Sequence, residues 1–402
     1  MSLAFLSNAA LHRLLFLFLL LFWGYILKFA GVLPVDTVLL SYALVFLSII
    51  HGIRCREFLK RLGGHRGMVL LLLFVVFYFF GSAFNVVVLG VDPRFVRNLL
   101  VLTLIFFVFV AVPEDRDVNF LIKYVSIIML GLLLYFVIYV FLKGVHYSSF
   151  FLSSFQANYL ILADVSAIAG LLFCMLRIPF FLKCFVAALV MVGLLFLGSR
   201  SSMVFYFVAL ALAFLIEFRG FGLLAKTKSV LFLSVALVAL IALVLEQKER
   251  FYRLFSIFNI TEDSSFKARN NLADQFWENV SEGWLSFLVG GGSETSGSYA
   301  HNLLSVWQFS GFFAFLATIL LLCLAFVIVF SRPVFFRRIL PVWFFCFLSC
   351  IFSRSIVSIV FPVLFSLSWI VVFSAFPKSD SRYRTRHQET LSRTIQLPGE
   401  SR

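Results

Sequence analysis

Long uninterrupted apolar runs constrain this chain of 402 residues more than any other feature. Twelve runs of 14 to 28 residues are separated by polar breaks, most of which carry lysine or arginine. Helices of about 20 apolar residues cross a bilayer, whereas the strands of a membrane barrel need alternating stretches of about ten. Only 13% of the residues are charged, against about 25% in soluble domains. The pattern predicts an all-α, polytopic integral membrane protein of about 12 transmembrane helices.

The polar breaks also predict an orientation in the membrane. One side of the predicted bundle carries 22 lysines and arginines and the other 11, and the richer side is cytoplasmic. We therefore expect nine helices over 1–245, an outer, partly helical loop over 246–302, three helices over 303–376 and a disordered cytoplasmic tail over 377–402. Both termini are cytoplasmic in this arrangement. The same bias accounts for the net charge of +14, so we expect membrane lipids and no nucleic acid as partners.

Cysteine placement predicts neither a disulfide nor a metal site. Five of the six cysteines lie in or beside apolar segments and none lies in the outer loop. Cys346 and Cys350 are one helical turn apart, a spacing that is typical of packing in an apolar helix. The chain also has no Walker loop, no H-E-x-x-H and no G-x-S-x-G, so no cofactor is expected.

The outer loop contains its own helical pattern. From Ser265 to about Leu288, apolar residues recur at helical spacing, which predicts one helix. The residues of this apolar face are Leu272, Phe276, Val280 and Trp284. Ser264 or Ser265 can cap the start of the helix, and the three glycines 290–292 end it.

Two turns on the outer side have the same sequence, Ser199-Arg200-Ser201 and Ser353-Arg354-Ser355. The predicted spans before them, 184–198 and 339–352, are too short for a hydrocarbon core about 30 Å thick at about 1.5 Å per residue. We therefore expect both arginines in a recess, at helix N-termini that favour an anion such as phosphate. The alternative is that each arginine extends to the membrane interface.

Other charged residues extend this set of candidates. Arg269 shares the apolar face of the loop helix, where its partner is either a bound anion or a structural carboxylate such as Asp274. Arg94 and Arg97 lie in a short outer loop and are placed to extend an anion path. Asp164 lies inside a span, either as a buried hydrogen-bonding group or as part of a cavity wall.

His301 follows the glycine-rich stretch and opens a predicted span together with Asn302. An imidazole near neutral pH is the usual general base in enzymes. The alternative is a histidine that only caps the helix or makes a structural hydrogen bond.

Taken in order, these motifs resemble the O-antigen ligase and polymerase superfamily of bacterial envelope assembly. That family has a Ser/Thr-Arg turn at the head of a span, a periplasmic loop helix with an arginine, and a glycine-rich stretch leading to His-Asn. The matching positions here are Ser199-Arg200, Ser265 to Arg269, Gly290 to Gly292, Ala300-His301-Asn302, Gly311 and Arg354. The resemblance covers roughly residues 190–376, and the first half of the chain matches only in hydropathy.

The resemblance implies a glycosyltransferase of the bacterial inner membrane whose active site faces the periplasm. It implies a glycan donor linked to undecaprenyl diphosphate and, for a ligase, a lipid A–core sugar as acceptor. Arg200 and Arg269 then look like the catalytic arginines that bind the diphosphate, with Arg354 assisting. Arg94, Arg97 and Asn302 complete the expected diphosphate-binding set. His301 looks like the base that takes the acceptor proton. Transfer is expected to be metal-independent and to invert the anomeric carbon.

Two alternatives to a ligase stay open. A polymerase joins lipid-linked repeat units, and some polymerases have a glycine eleven positions after an outer arginine, which no outer arginine has here. A transporter of lipid-linked oligosaccharides should carry charges that reach both faces, whereas these candidates cluster on the outer face. The compact size and the single dominant loop favour a ligase.

Overall fold

The structure is a computed structural model that describes seven stretches of the chain. They are 64–89, 159–176, 178–218, 264–290, 302–331, 340–354 and 360–375, with the separate residues 127, 130–131, 133–135, 137–138 and 358. Within these stretches all regular structure is α-helical and no strand occurs. The prediction of an all-α chain is thus confirmed for the described residues. The chain termini, Arg94, Arg97 and His301 lie outside them.

Ten helices follow one another through the described stretches. They are α1 (Gly64–Leu89), α2 (Tyr159–Cys174), α3 (Phe180–Leu197), α4 (Arg200–Phe218), α5 (Ser264–Ser281), α6 (Trp284–Val289), α7 (Leu304–Ser310), α8 (Phe312–Ser331), α9 (Leu340–Phe352) and α10 (Val360–Ala375). By length and composition, α3 with 18 residues and α8 with 20 are able to cross a membrane. The count of about twelve spans and the orientation stay predictions.

One predicted boundary is wrong because it treated a lysine as a break. The helix α3 begins at Phe180 rather than at residue 184, directly after Pro179, which is well suited to a helix start. Lys183 is therefore inside the helix and buried. Because α3 is longer than the predicted span, a recessed position of Arg200 no longer follows from the span length. A recessed position is still expected for Arg354, because the preceding helix α9 has only 13 residues.

A second predicted span, 303–330, is divided into α7 and α8 at Gly311. This glycine has a φ of 86°, a left-handed conformation that other residues rarely adopt. A β-carbon there would lie 2.7 Å from the carbonyl oxygen of Leu288, at the end of α6. The chain breaks at Gly311 because the end of α6 packs directly against it.

The helices pack into one bundle with α9 near its centre. In the described part, α9 packs against α2, α4 and α10, while α2, α3 and α4 pack against one another. The Trp343 side chain of α9 is fully buried and donates a hydrogen bond of 2.8 Å to Ser368 Oγ on α10. The contacts of α9 with both α2 and α4 bring the two Ser-Arg-Ser turns to the same place.

Ring contacts show that α8 and α9 run antiparallel. Phe326 lies 5.9 Å from Phe347, and Phe330, one turn later in α8, lies 6.3 Å from Phe344, one turn earlier in α9. The start of α8 is therefore at the same end of the bundle as the end of α9. This end holds the candidate functional residues described below.

Small and polar residues of α1 contact the end of α7. The Asn85 side-chain amide donates to the carbonyl oxygens of Val289 at 3.0 Å and Phe309 at 2.8 Å. Ser82 Oγ lies 3.2 Å from Ser310 Oγ. A β-carbon at Gly81 would clash with the carbonyl oxygen of Ser310. These contacts fix α7 against the bundle.

We expect Gly81→Ala to destabilise the protein by about 1 to 3 kcal/mol, the usual cost of overpacking a tight contact. The new methyl group meets backbone atoms, which cannot move aside as a side-chain end can. Gly131→Ala is the matched control, because a β-carbon at Gly131 has no neighbour within 4 Å among the described residues. Thermal unfolding in detergent measures both variants, and equal melting temperatures would contradict the close approach of α1 and α7.

Candidate functional site

Arg200 is placed by a tight turn between α3 and α4. Gly198 ends α3 with a φ of 65°, and its N–H donates to the carbonyl oxygens of Leu194 and Leu195. This left-handed residue is the usual helix terminator and lets α4 begin two residues later. Arg200 is the first residue of α4, and its side chain is half-buried.

The buried carboxylate of Asp164 on α2 joins this turn to the second one. Arg354 Nε donates to Asp164 Oδ2 at 2.6 Å, and Arg354 Nη2 donates to Asp164 Oδ1 at 2.9 Å. Ser202 Oγ, in the first turn of α4, donates to Asp164 Oδ1 at 2.7 Å. Asp164 is 1% exposed and Arg354 8%. The two charges therefore form a bidentate, buried ion pair.

The rest of the guanidinium of Arg354 binds both turns. Nη2 also donates to Ser202 Oγ at 2.8 Å, and Nη1 donates to Ser201 Oγ at 3.3 Å and to the Ser353 carbonyl at 3.2 Å. Ser199 Oγ lies 2.7 Å from Ser202 Oγ. Because the single proton of the Ser202 hydroxyl is donated to Asp164, Ser199 is the donor in that contact.

We call these residues the Asp164 cluster: Asp164, Ser199, Ser201, Ser202, Ser353 and Arg354. The sequence left two alternatives for Asp164, and the structure shows the buried hydrogen-bonding group. The side chain of Arg354 is buried and bound to Asp164, and its position relative to a membrane interface stays a prediction. Its assistance in diphosphate binding stays a prediction.

The helical segment predicted from Ser265 to about Leu288 is observed, but it is divided into two helices. A helix begins at Ser264, and the segment ends before Gly290 as expected, but α5 stops at Ser281 and the shorter α6 follows Gly283. Phe276 and Val280 of the predicted apolar face are buried. Trp284, predicted on the same face, is 76% exposed. It lies in α6, beyond the break at residues 282–283, so the helical spacing counted along α5 does not apply to it.

Trp307 of α7 is the residue on which the loop helices pack. Its ring lies 5.6 Å from that of Phe276 on α5 and 4.9 Å from that of Phe287 on α6. Its indole Nε1 donates to the Phe287 carbonyl at 2.7 Å. The helix α5, which carries Arg269, is thereby attached to α7. Arg269 is half-buried and lies two turns before Phe276 on the same side of α5.

Asn302 begins the segment that leads into α7. Its side-chain Oδ1 accepts a hydrogen bond of 3.0 Å from the Leu304 N–H, and its carbonyl accepts one of 2.7 Å from Ser305 Oγ. These contacts make Asn302 a capping residue for α7. They also fix the chain one residue after His301.

The candidates that lie in the described stretches, which are Arg200, Arg269, Asn302 and Arg354, thus gather at one end of the bundle. The Asp164 cluster and Arg200 lie where α9 ends and α4 begins. The loop helix with Arg269 packs on α7, which precedes α8, and α8 starts at that same end because it is antiparallel to α9. Such a site combines helix N-termini, arginines and serines, which together suit an anion.

Two comparisons with known proteins find no relative of this chain. The sequence matches no known protein family, and no curated protein is detectably similar to it. Within the described residues, no three His, Cys, Asp or Glu side chains form a group that could hold a metal ion. Cys346 and Cys350 are buried free cysteines within α9.

Sequence reasoning missed two residues of this end of the bundle. Ser202 was not singled out, although a serine in the first turn of a helix is a frequent hydrogen-bonding residue. Trp307 was not singled out either, because an aromatic residue in an apolar run carries no signal of its own. Only the packing of α5 and α6 shows its importance.

Proposed function

We propose that this chain is an O-antigen ligase that transfers a polysaccharide from undecaprenyl diphosphate to a lipid A–core sugar. The reaction takes place at the periplasmic face of the bacterial inner membrane. The observation that carries the proposal is the gathering of Arg200, Arg269 and the residue after His301 at one end of the bundle. In the ligase and polymerase superfamily the same motifs serve the diphosphate and the acceptor.

The proposed chemistry is one direct displacement. The acceptor hydroxyl oxygen attacks the anomeric carbon, His301 takes the hydroxyl proton, and the bond from that carbon to the diphosphate oxygen breaks. The configuration at the anomeric carbon inverts. The leaving diphosphate gains negative charge as the bond breaks, and arginines already in position stabilise that charge.

Purified protein should attach the polysaccharide to lipid A–core in the presence of a chelator. The candidates are arginines and a histidine, whereas a hard divalent cation needs several oxygen ligands. The product is measured as a shift of labelled lipid A–core on a gel. Activity that a chelator removes and magnesium or manganese restores would contradict the arginine-based mechanism.

The same reaction mixture separates the ligase from the alternatives. Elongation of lipid-linked repeats without addition to lipid A–core would identify a polymerase. Movement of the donor across a vesicle membrane without any new glycosidic bond would identify a transporter. Transfer to lipid A–core identifies the ligase.

A further inference from the structure

We propose that Asp164 and Arg354 are positioning residues that hold the start of α4, and with it Arg200, in the geometry that binds the donor diphosphate. The inference rests on the proposed function, in which Arg200 contacts the donor. Neither Asp164 nor the fork of Arg354 needs to touch the donor for this role. Their effect reaches the donor through the residues on either side of Arg200.

The contacts of Asp164 and Arg354 are concentrated at the start of α4. Asp164 lies on α2, Arg354 lies two residues after the end of α9, and Ser202 lies on α4, so the pair joins three helices at one point. Arg354 donates to Ser201 and Ser202, the two residues that follow Arg200. Ser199, which precedes it, is held through Ser202. The chain is therefore fixed on both sides of Arg200.

Both carboxylate oxygens of Asp164 accept hydrogen bonds within the cluster. Asp164 Oδ2 accepts from Arg354 Nε, and Asp164 Oδ1 accepts from Arg354 Nη2 and Ser202 Oγ. A planar guanidinium that binds a carboxylate through two nitrogens has one orientation, unlike a lysine ammonium. The cluster thus fixes a direction as well as a distance.

A contribution to stability does not by itself explain why this buried pair is charged. A buried ion pair is often no more stabilising than an apolar pair of similar volume, because both charges lose their hydration. The packing of α2, α4 and α9 against one another does not require charges here, because apolar residues make the other contacts between these helices. What an apolar pair cannot supply is the set of directed hydrogen bonds to Ser201 and Ser202.

The test replaces the pair by apolar residues of similar size, Asp164→Leu with Arg354→Met. We expect this double variant to unfold near the temperature of the wild type. We expect its KM for the undecaprenyl diphosphate-linked donor to rise roughly tenfold to hundredfold, the cost of a misplaced binding group. Its KM for the lipid A–core acceptor should not change. Ser368→Ala is the control, because it removes a buried hydrogen bond to Trp343 elsewhere in the bundle and should leave both KM values unchanged.

A double-mutant cycle shows whether the pair acts through Arg200. In an Arg200→Lys background, which keeps the charge without the fork, the apolar pair should raise the donor KM much less than it does in the wild type. Equal effects in the two backgrounds would contradict action through Arg200.

The outcomes separate the inference from the proposed function. Wild-type protein that transfers glycan, with a double variant of unchanged donor KM, overturns the positioning role alone. Wild-type protein that transfers no glycan overturns the proposed function, and the inference with it. Where the double variant does not fold, Arg354→Lys decides in both backgrounds. A donor KM that rises in the wild type and much less in the Arg200→Lys background supports the positioning role, and an unchanged KM or equal rises overturn it.

Discussion

Replacement of His301 by alanine should lower the rate of glycan transfer by about 10² to 10⁴-fold, the usual contribution of a general base. Donor affinity should stay near that of the wild type, because the proposed diphosphate ligands are arginines. His301 immediately precedes Asn302, the residue that caps α7. Transfer of labelled glycan and equilibrium binding of the donor, measured on the same purified variant, separate the chemical step from binding.

The pH dependence of the wild-type rate gives an independent test of this role. A general base works as the neutral imidazole, so the rate should rise as pH increases through the histidine pKa. A histidine that instead binds the diphosphate as a cation would give a rate that falls as pH rises. In that case His301→Ala would also weaken donor binding.

Asn302→Ala is the control variant for His301→Ala. It removes the acceptor of the Leu304 N–H, and loss of such a cap typically costs about 1 kcal/mol of stability. It removes no group that takes a proton in the proposed reaction. We therefore expect a lower melting temperature with a much smaller loss of rate than for His301→Ala. Equal losses of rate in the two variants would contradict the assignment of the base to His301.

Local sequence signals predicted most of the helical structure that is described. The apolar runs 157–176, 202–218, 339–352 and 356–376 predict spans with boundaries close to those of α2, α4, α9 and α10. A helix is expected there because it satisfies its own backbone hydrogen bonds in lipid. The end of the outer-loop helical segment before Gly290 was also predicted, from three consecutive glycines. These features depend on neighbours in sequence.

The breaks within helical segments were less predictable. Gly283 separates α5 from α6, and Gly311 separates α7 from α8. A single glycine inside a helical pattern is often tolerated, so neither position signals a break by itself. The break at Gly311 depends on the approach of the Leu288 carbonyl from another helix, which only the tertiary structure supplies.

The Asp164–Arg354 pair shows the same limit at the candidate site. Each residue was singled out as a charge in an apolar environment, yet they are 190 residues apart in sequence, and no local pattern joins them. Intramembrane charges usually pair with one another, and that rule was the signal that could have connected them. The arrangement of α2 and α9 in space was needed to identify the partners.

Arg200→Ala should abolish nearly all transfer. Removal of one preorganised donor to a developing negative charge commonly costs about 10² to 10³-fold in rate, and a diphosphate ligand contributes to donor binding as well. Arg200→Lys should retain partial activity, because lysine keeps the charge but loses the bidentate fork. Lys267→Ala removes an exposed cation of α5 two residues from Arg269 and should have no effect, which excludes a general influence of surface charge. The measurement is donor binding and transfer rate for each variant. If Arg200→Ala and Arg269→Ala both bind and turn over the donor normally, these arginines have only a structural role, and the diphosphate must be bound elsewhere.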